Sequence, residues 1–198
     1  MANYHDIRYN MTLSSSTTGG GAMTLLETQT ASSSSTISFT SNIDSTYKEY
    51  VFRFYDIHPS TNDAYFLFNG SSDSGSNYNV TKTSTFFHAY HDEADNTPAL
   101  GYDTNSDLAQ STDFQIIHQQ VGNGNDNCSA GFLHLFNPSS TTYVKHFLIR
   151  SNRVSSSNYS VDTYIAGYFN TTSAIDAVQF KMNSGNIDAG TIKMYGIK

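Results

Sequence analysis

Tyr50-Val-Phe-Arg-Phe-Tyr55 (YVFRFY) decides the reading of the fold. Side chains alternate across a strand with a period of two. Phe52 and Phe54 therefore share one face, and Val51, Arg53 and Tyr55 share the other. A helix would scatter these residues around its axis, whereas a strand gathers the two phenylalanines into a core. The same signal recurs on both sides. Upstream, TISF (36–39) places Ile37 and Phe39 together. Downstream, AYFLFNG (64–70) is an almost continuous apolar run that Asn69-Gly70, a strong turn dipeptide, is expected to close.

Further strands are read in STFFHAYH (84–91), FQIIHQQV (114–121) and AGFLHLFN (130–137), the last stopped by Asn137-Pro138. TYVKHFLIRS (142–151) alternates, with Val144, His146 and Leu148 on one face and Tyr143, Lys145, Phe147 and Ile149 on the other. SVDTYIAGYF (160–169), IDAVQFKM (175–182) and TIKMY (191–195) complete the series. In TIKMY, Ile192 and Met194 are expected to face the core, with the strand in the middle or at the rim of a sheet. A polar loop is expected between Asp92 and Asp113. The one helix-like stretch, SAIDAVQF (173–180), fits a strand equally well. Nine or ten short strands separated by turn signals predict an all-β protein: an antiparallel two-sheet sandwich or jelly roll.

Composition agrees. The chain has 198 residues, enough for one sizeable β domain. It holds 14 Tyr and 13 Phe, yet charged residues make up only 14%. Ser, Thr and Asn supply the polar surface, which favours strands and turns. Net charge is −7, and the 10 Lys and Arg form no basic stripe, so no nucleic-acid partner is read. The single cysteine, Cys128, excludes an internal disulfide framework. No apolar stretch is long enough for a membrane-spanning helix, and the opening MANYHDIRYN carries no apolar signal segment. Six N-x-S/T triplets, among them those at Asn69, Asn79 and Asn170, are expected by chance in so Asn- and Ser-rich a chain.

Two regions are predicted: an extended arm over residues 1–24, ending in Gly19-Gly20-Gly21, and a sandwich over residues 25–198. A loose beginning and a C-terminal strand sewn into a sheet suggest a module attached through its arm.

No catalytic signature is present: no G-x-S-x-G elbow, H-E-x-x-H helix or phosphate-binding glycine loop. Cys128 has no positive charge near it in sequence to activate a thiolate. HAYHDEAD, with His88, His91, Asp92, Glu93 and Asp95, is the densest polar cluster. In a strand, however, His88 and His91 point to opposite faces, which favours a solvated loop over a metal site. DTNSD places Asp103, Asn105 and Asp107 as a calcium loop begins. The loop pattern then fails at Leu108 and Phe114, where it needs Gly and Glu. His118, His134 and His146 fall in strands, and His134 shares a face with Phe132 and Phe136; each is expected to be a satisfied core residue. No metal, cofactor or catalytic residue is therefore assigned. Tyr- and Asn-rich loops leave glycan binding open.

Three segments, Phe39 to Tyr47, Phe68 to Tyr78 and Phe180 to Ile197, resemble a broad group of tailed-phage virion proteins. The shared elements are F-(S/T)-x-I-x-x-x-Y, (F/L)-N-G-x-x-x-S-N-Y, and a closing F-x-x-x-S-G-x-I-x-x-G-x-I-x-(L/M)-Y-G-I. The resemblance covers most of Leu25–Lys198 and excludes the arm. It implies a jelly-roll-like domain on a virion surface and no enzymatic activity. The leading expectation is a capsid decoration (cement) protein, assembled in the host cytoplasm and bound to the major capsid protein or another virion protein. Its arm would anchor through Tyr4, Ile7, Tyr9, Met11 and Leu13, and it would form a homotrimer or homodimer. The alternative is a tail fibre or baseplate module that recognises host surface glycans.

Overall fold

The computed structural model describes Met23–Lys198. Twelve strands follow one another: β1 (Met23–Thr30), β2 (Thr36–Phe39), β3 (Glu49–Pro59), β4 (Ala64–Ser71), β5 (Lys82–Asp92), β6 (Ala99–Tyr102), β7 (Gln115–Val121), β8 (Ser129–Phe136), β9 (Lys145–Val154), β10 (Tyr159–Phe169), β11 (Ala177–Met182) and β12 (Ile187–Ile197). They form two antiparallel sheets, one of eight strands in the order β1-β12-β3-β8-β9-β10-β5-β6 and one of four in the order β2-β11-β4-β7.

That order is a jelly roll with two insertions. Strands β1, β12, β3 and β8 lie side by side in one sheet, and β2, β11, β4 and β7 do so in the other. Successive members of this set of eight switch sheets at every step except β4 to β7, which pair with each other in the smaller sheet, as in two nested Greek keys. The hairpins β5–β6 and β9–β10 are extra. Both join the larger sheet beyond β8, giving it a four-stranded wing.

The core lies between the sheets and is dominated by phenylalanine. Phe180 of β11 is its hub, with ring centroids 5.3 Å from Phe54, 5.6 Å from Phe52, 5.8 Å from Phe66 and 6.2 Å from Phe39. Each ring so enclosed contributes roughly 1.5–3 kcal/mol through burial. The alternation read in YVFRFY holds for Phe52 and Phe54, which are buried, and for Arg53 and Tyr55, which are exposed, whereas Val51, read on the face of Arg53, is buried as well. In β9, Lys145, Phe147 and Ile149 face inward and His146 and Leu148 outward. SAIDAVQF resolves as strand from Ala177. Strand β12 lies between β1 and β3, inside the sheet, with Ile192 and Met194 buried.

Three expectations need correction. Asn69-Gly70 makes no turn: both residues lie within β4 and are buried. The Asn69 amide donates to the Tyr78 carbonyl at 2.8 Å and the Thr112 carbonyl at 3.0 Å, doing inside the fold what the dipeptide usually does at a hairpin tip. Gly70 is needed for space, because a Cβ there would sit 2.8 Å from the Phe169 ring. The 92–113 segment is not all loop, since Ala99–Tyr102 forms edge strand β6 on β5. Finally, Met23 and Thr24, assigned to the arm, pair with Ile197 and Gly196 in β1. Tyr4, Ile7, Tyr9, Met11 and Leu13 lie outside the described residues.

The segments that carry the family resemblance meet in space. Phe39 packs on Phe180, and the Tyr47 ring lies 2.4 Å from where a Cβ on Gly196 would be. Their shared residues are framework residues.

Candidate functional site

The wing carries two features, one on each face. Both follow from the pairing register of β5, β10 and β9.

On the inner face the register sets His88, Thr163 and Ser151 side by side, and then Tyr90, Val161 and Arg153 one step further along. The row before these is wholly apolar, being Phe86, Ile165 and Ile149. The interior thus changes from hydrocarbon to polar within one side-chain repeat. Strand β7, the edge of the smaller sheet, faces this region and brings His118. Its end is tied to the β9–β10 turn by a bridge between Val121 and Ser155. A cavity of about 300 Å³ opens at this corner, lined by His88, Tyr90, Gln119, Gln120, Arg153 and Tyr159, among others. Gln120 holds a left-handed backbone, with φ of 46°. Non-glycine residues adopt this conformation only when their surroundings enforce it.

The polar groups of this corner lack partners. Arg153 Nε, His88 Nδ1, both ring nitrogens of His118, Thr163 Oγ1 and Ser151 Oγ are buried without a hydrogen bond to any described residue. Buried polar groups are nearly always satisfied, so six orphans in one corner are informative. Arg153 is 5% exposed. The ion pairs among the described residues are His58–Asp188, His91–Asp95, His134–Glu49 and Arg150–Asp162, so no carboxylate pairs with it. Burial pulls its pKa down to about 10, which leaves it charged at neutral pH. His118 is pushed well below the usual imidazole value by burial and then by the Arg153 charge. His88 is lowered by burial, with Asp103 opposing and Arg153 assisting. Both imidazoles are neutral at pH 7, each with one donor and one acceptor nitrogen.

On the outer face one transverse row runs Tyr102, Phe87, Tyr164, Arg150, Phe132, Arg53, Lys193 across seven strands. The Phe87 and Tyr164 rings stack at 5.0 Å, and the Arg150 guanidinium lies 4.9 Å over Tyr164. Tyr102, Phe87 and Phe132 are 54%, 40% and 37% exposed, and Leu148 beside them is 49% exposed. Three of the chain's ten basic residues stand in this one row.

The remaining candidates fall elsewhere. His91 faces out and meets Asp95 at 3.1 Å, so HAYHDEAD splits across the sheet as its spacing implies. Asp103 accepts from the Asn105 amide, the Ser106 hydroxyl and the Gln119 amide, and Asp107 accepts from the Tyr102 hydroxyl. These carboxylates organise loop structure. Among the described residues, no group of three or more His, Cys, Asp and Glu is placed to hold a metal ion. The Cys128 thiol is pushed up by burial and by Asp56, the reverse of an activated nucleophile. The histidine expectations change. His118 is a core residue but unsatisfied, His134 lies on the outer face paired with Glu49, and His146 is exposed. Sequence reading overlooked Arg153 and Thr163 altogether. The signal was available: Arg153 continues the inward phase of Phe147 and Ile149, an odd place for a guanidinium. Comparison of the chain with protein-family models, curated proteins and solved structures finds no match.

Proposed function

We propose that this chain is a structural protein of a bacteriophage particle, a decoration protein that adheres to the major capsid protein at the virion surface as a trimer or dimer. The observation that carries this reading is the outward row of the wing. Exposed aromatic rings stand in one row with Arg53, Lys193 and Arg150, the last paired with Asp162, and form an aromatic–arginine face on a chain that is net acidic. Such aromatic–arginine surfaces suit the centre of a protein interface. The framework position of the resemblance segments and the jelly-roll order are in keeping with it.

The segment before Met23 supplies the second contact in this reading. Met23 lies on β1, an edge strand, so the anchor would start at a sheet edge. A deletion of residues 1–22 spares β1. The shortened protein should keep its melting temperature and lose co-sedimentation with capsids. Undiminished co-sedimentation would remove the anchor from the account.

A tail fibre or baseplate module that recognises host glycans is the second reading. The inner cavity favours it, since tyrosines and amide side chains are the usual lining of sugar sites.

A further inference from the structure

We propose that the corner cavity between β7 and the wing binds a carboxylate-bearing ligand of hexuronic-acid size, held through Arg153. The inference rests on the cavity alone and stands whether the protein sits on a head or a tail.

The argument starts from what is missing. A charged guanidinium with 5% exposure and no carboxylate partner among the described residues is costly to fold around. Something must offset that cost when the site is in use. A cation is the wrong answer, because Arg153 would repel it. A dianion such as phosphate is a poor match too, since among the described residues one guanidinium is the only full positive charge in the corner and both imidazoles are neutral. A single carboxylate balances the charge and fits the planar fork of an arginine.

The rest of the lining describes the remainder of the ligand. His88 offers ring nitrogens, Gln120 an amide, and Ser155 and Ser157 hydroxyls; His118, Thr163 and Ser151 are buried beside Arg153 and do not line the cavity. Acceptor nitrogens need hydroxyl groups on the ligand, which a bare carboxylate lacks. Tyr90 and Tyr159 meet edge to face at 5.6 Å in the same lining and supply apolar ring surface. A volume of about 300 Å³ holds one hexose-sized ring. Carboxylate, hydroxyls and a ring face together describe a uronic acid, free or within an acidic polysaccharide.

The test is an NMR titration of the full chain, following the imidazole nitrogen signals of His88 and His118 during addition of glucuronate, glucose or acetate. Glucuronate should shift both residues and saturate in the micromolar-to-millimolar range. Glucose should leave them unchanged. An acetate response equal to that of glucuronate would keep the carboxylate site and make a free small acid its ligand. Arg153→Met should weaken glucuronate binding tenfold or more, and Arg153→Lys should weaken it less. If Arg153→Met does not fold, Arg153→Lys and the wild-type titrations still decide. No shift with glucuronate, or an equal response to glucose, would overturn the proposal and leave the cavity to water.

Discussion

Phe87 of β5 and Tyr164 of β10 stack face to face on the outside of the sheet, 5.0 Å apart and within 1° of parallel. Phe87 is exposed, and Tyr164 is half-buried beneath the Arg150 guanidinium. An outward aromatic pair that is still partly open to water contributes only modestly to folding, so its placement bears on what the surface touches. The cross-strand register produces the pair: Phe87 opposes Tyr164, and Tyr164 opposes Arg150.

Phe87→Ala tests that role. Losing the stack should cost about 0.5–1.5 kcal/mol of stability by urea unfolding. Capsid association measured by co-sedimentation should fall far more, tenfold or beyond, if the pair is central to the contact. Unchanged association would move the interface off this face.

Gly70→Ala tests the tight packing of β4. The new methyl would press on the Phe169 ring at 2.8 Å and on Ile175 at 3.1 Å. Overpacking of this kind costs about 1–3 kcal/mol. A loss below about 0.5 kcal/mol would show that the site relaxes freely.

Lys82 sets a pH dependence. It is fully buried, and its ammonium donates to the carbonyls of Val80 and Asp113. Burial pushes its pKa down to about 7 from 10.5, with the Asp113 charge opposing. Between those values the unfolded chain holds a proton that the folded chain has released. Stability therefore rises with pH across this window, by at most about 1.4 kcal/mol per pH unit. Below pH 7 the burial penalty is present in full. Urea unfolding at pH 7 and pH 9 should show the rise in the wild type and lose most of it in Lys82→Met. Equal slopes in the two proteins would refute the assignment.

Much of the sandwich was legible because its signal is local. Period-two alternation around Phe52, Phe54, Ile192 and Met194 needs only neighbouring residues. The errors arose where tertiary context overrode local chemistry. Asn69-Gly70 has every mark of a turn, but the distant carbonyls of Tyr78 and Thr112 satisfy the asparagine within a strand. Edge strand β6 has too few residues to show a period. The cavity was hidden for a different reason. Its residues come from β5, β7, β9 and β10, and only the pairing register brings His88, Tyr90, Val161 and Arg153 together. His88 was noticed for the wrong cluster, because its sequence neighbour His91 points the other way.

The central claim is that this protein is a stoichiometric part of a virion surface. Quantitative mass spectrometry of purified particles measures that directly, as copies of this chain per copy of the major capsid protein. A decoration protein should approach the capsid protein in number. A count far smaller would transfer the protein to the tail and favour glycan recognition. Absence from purified particles would contradict the account.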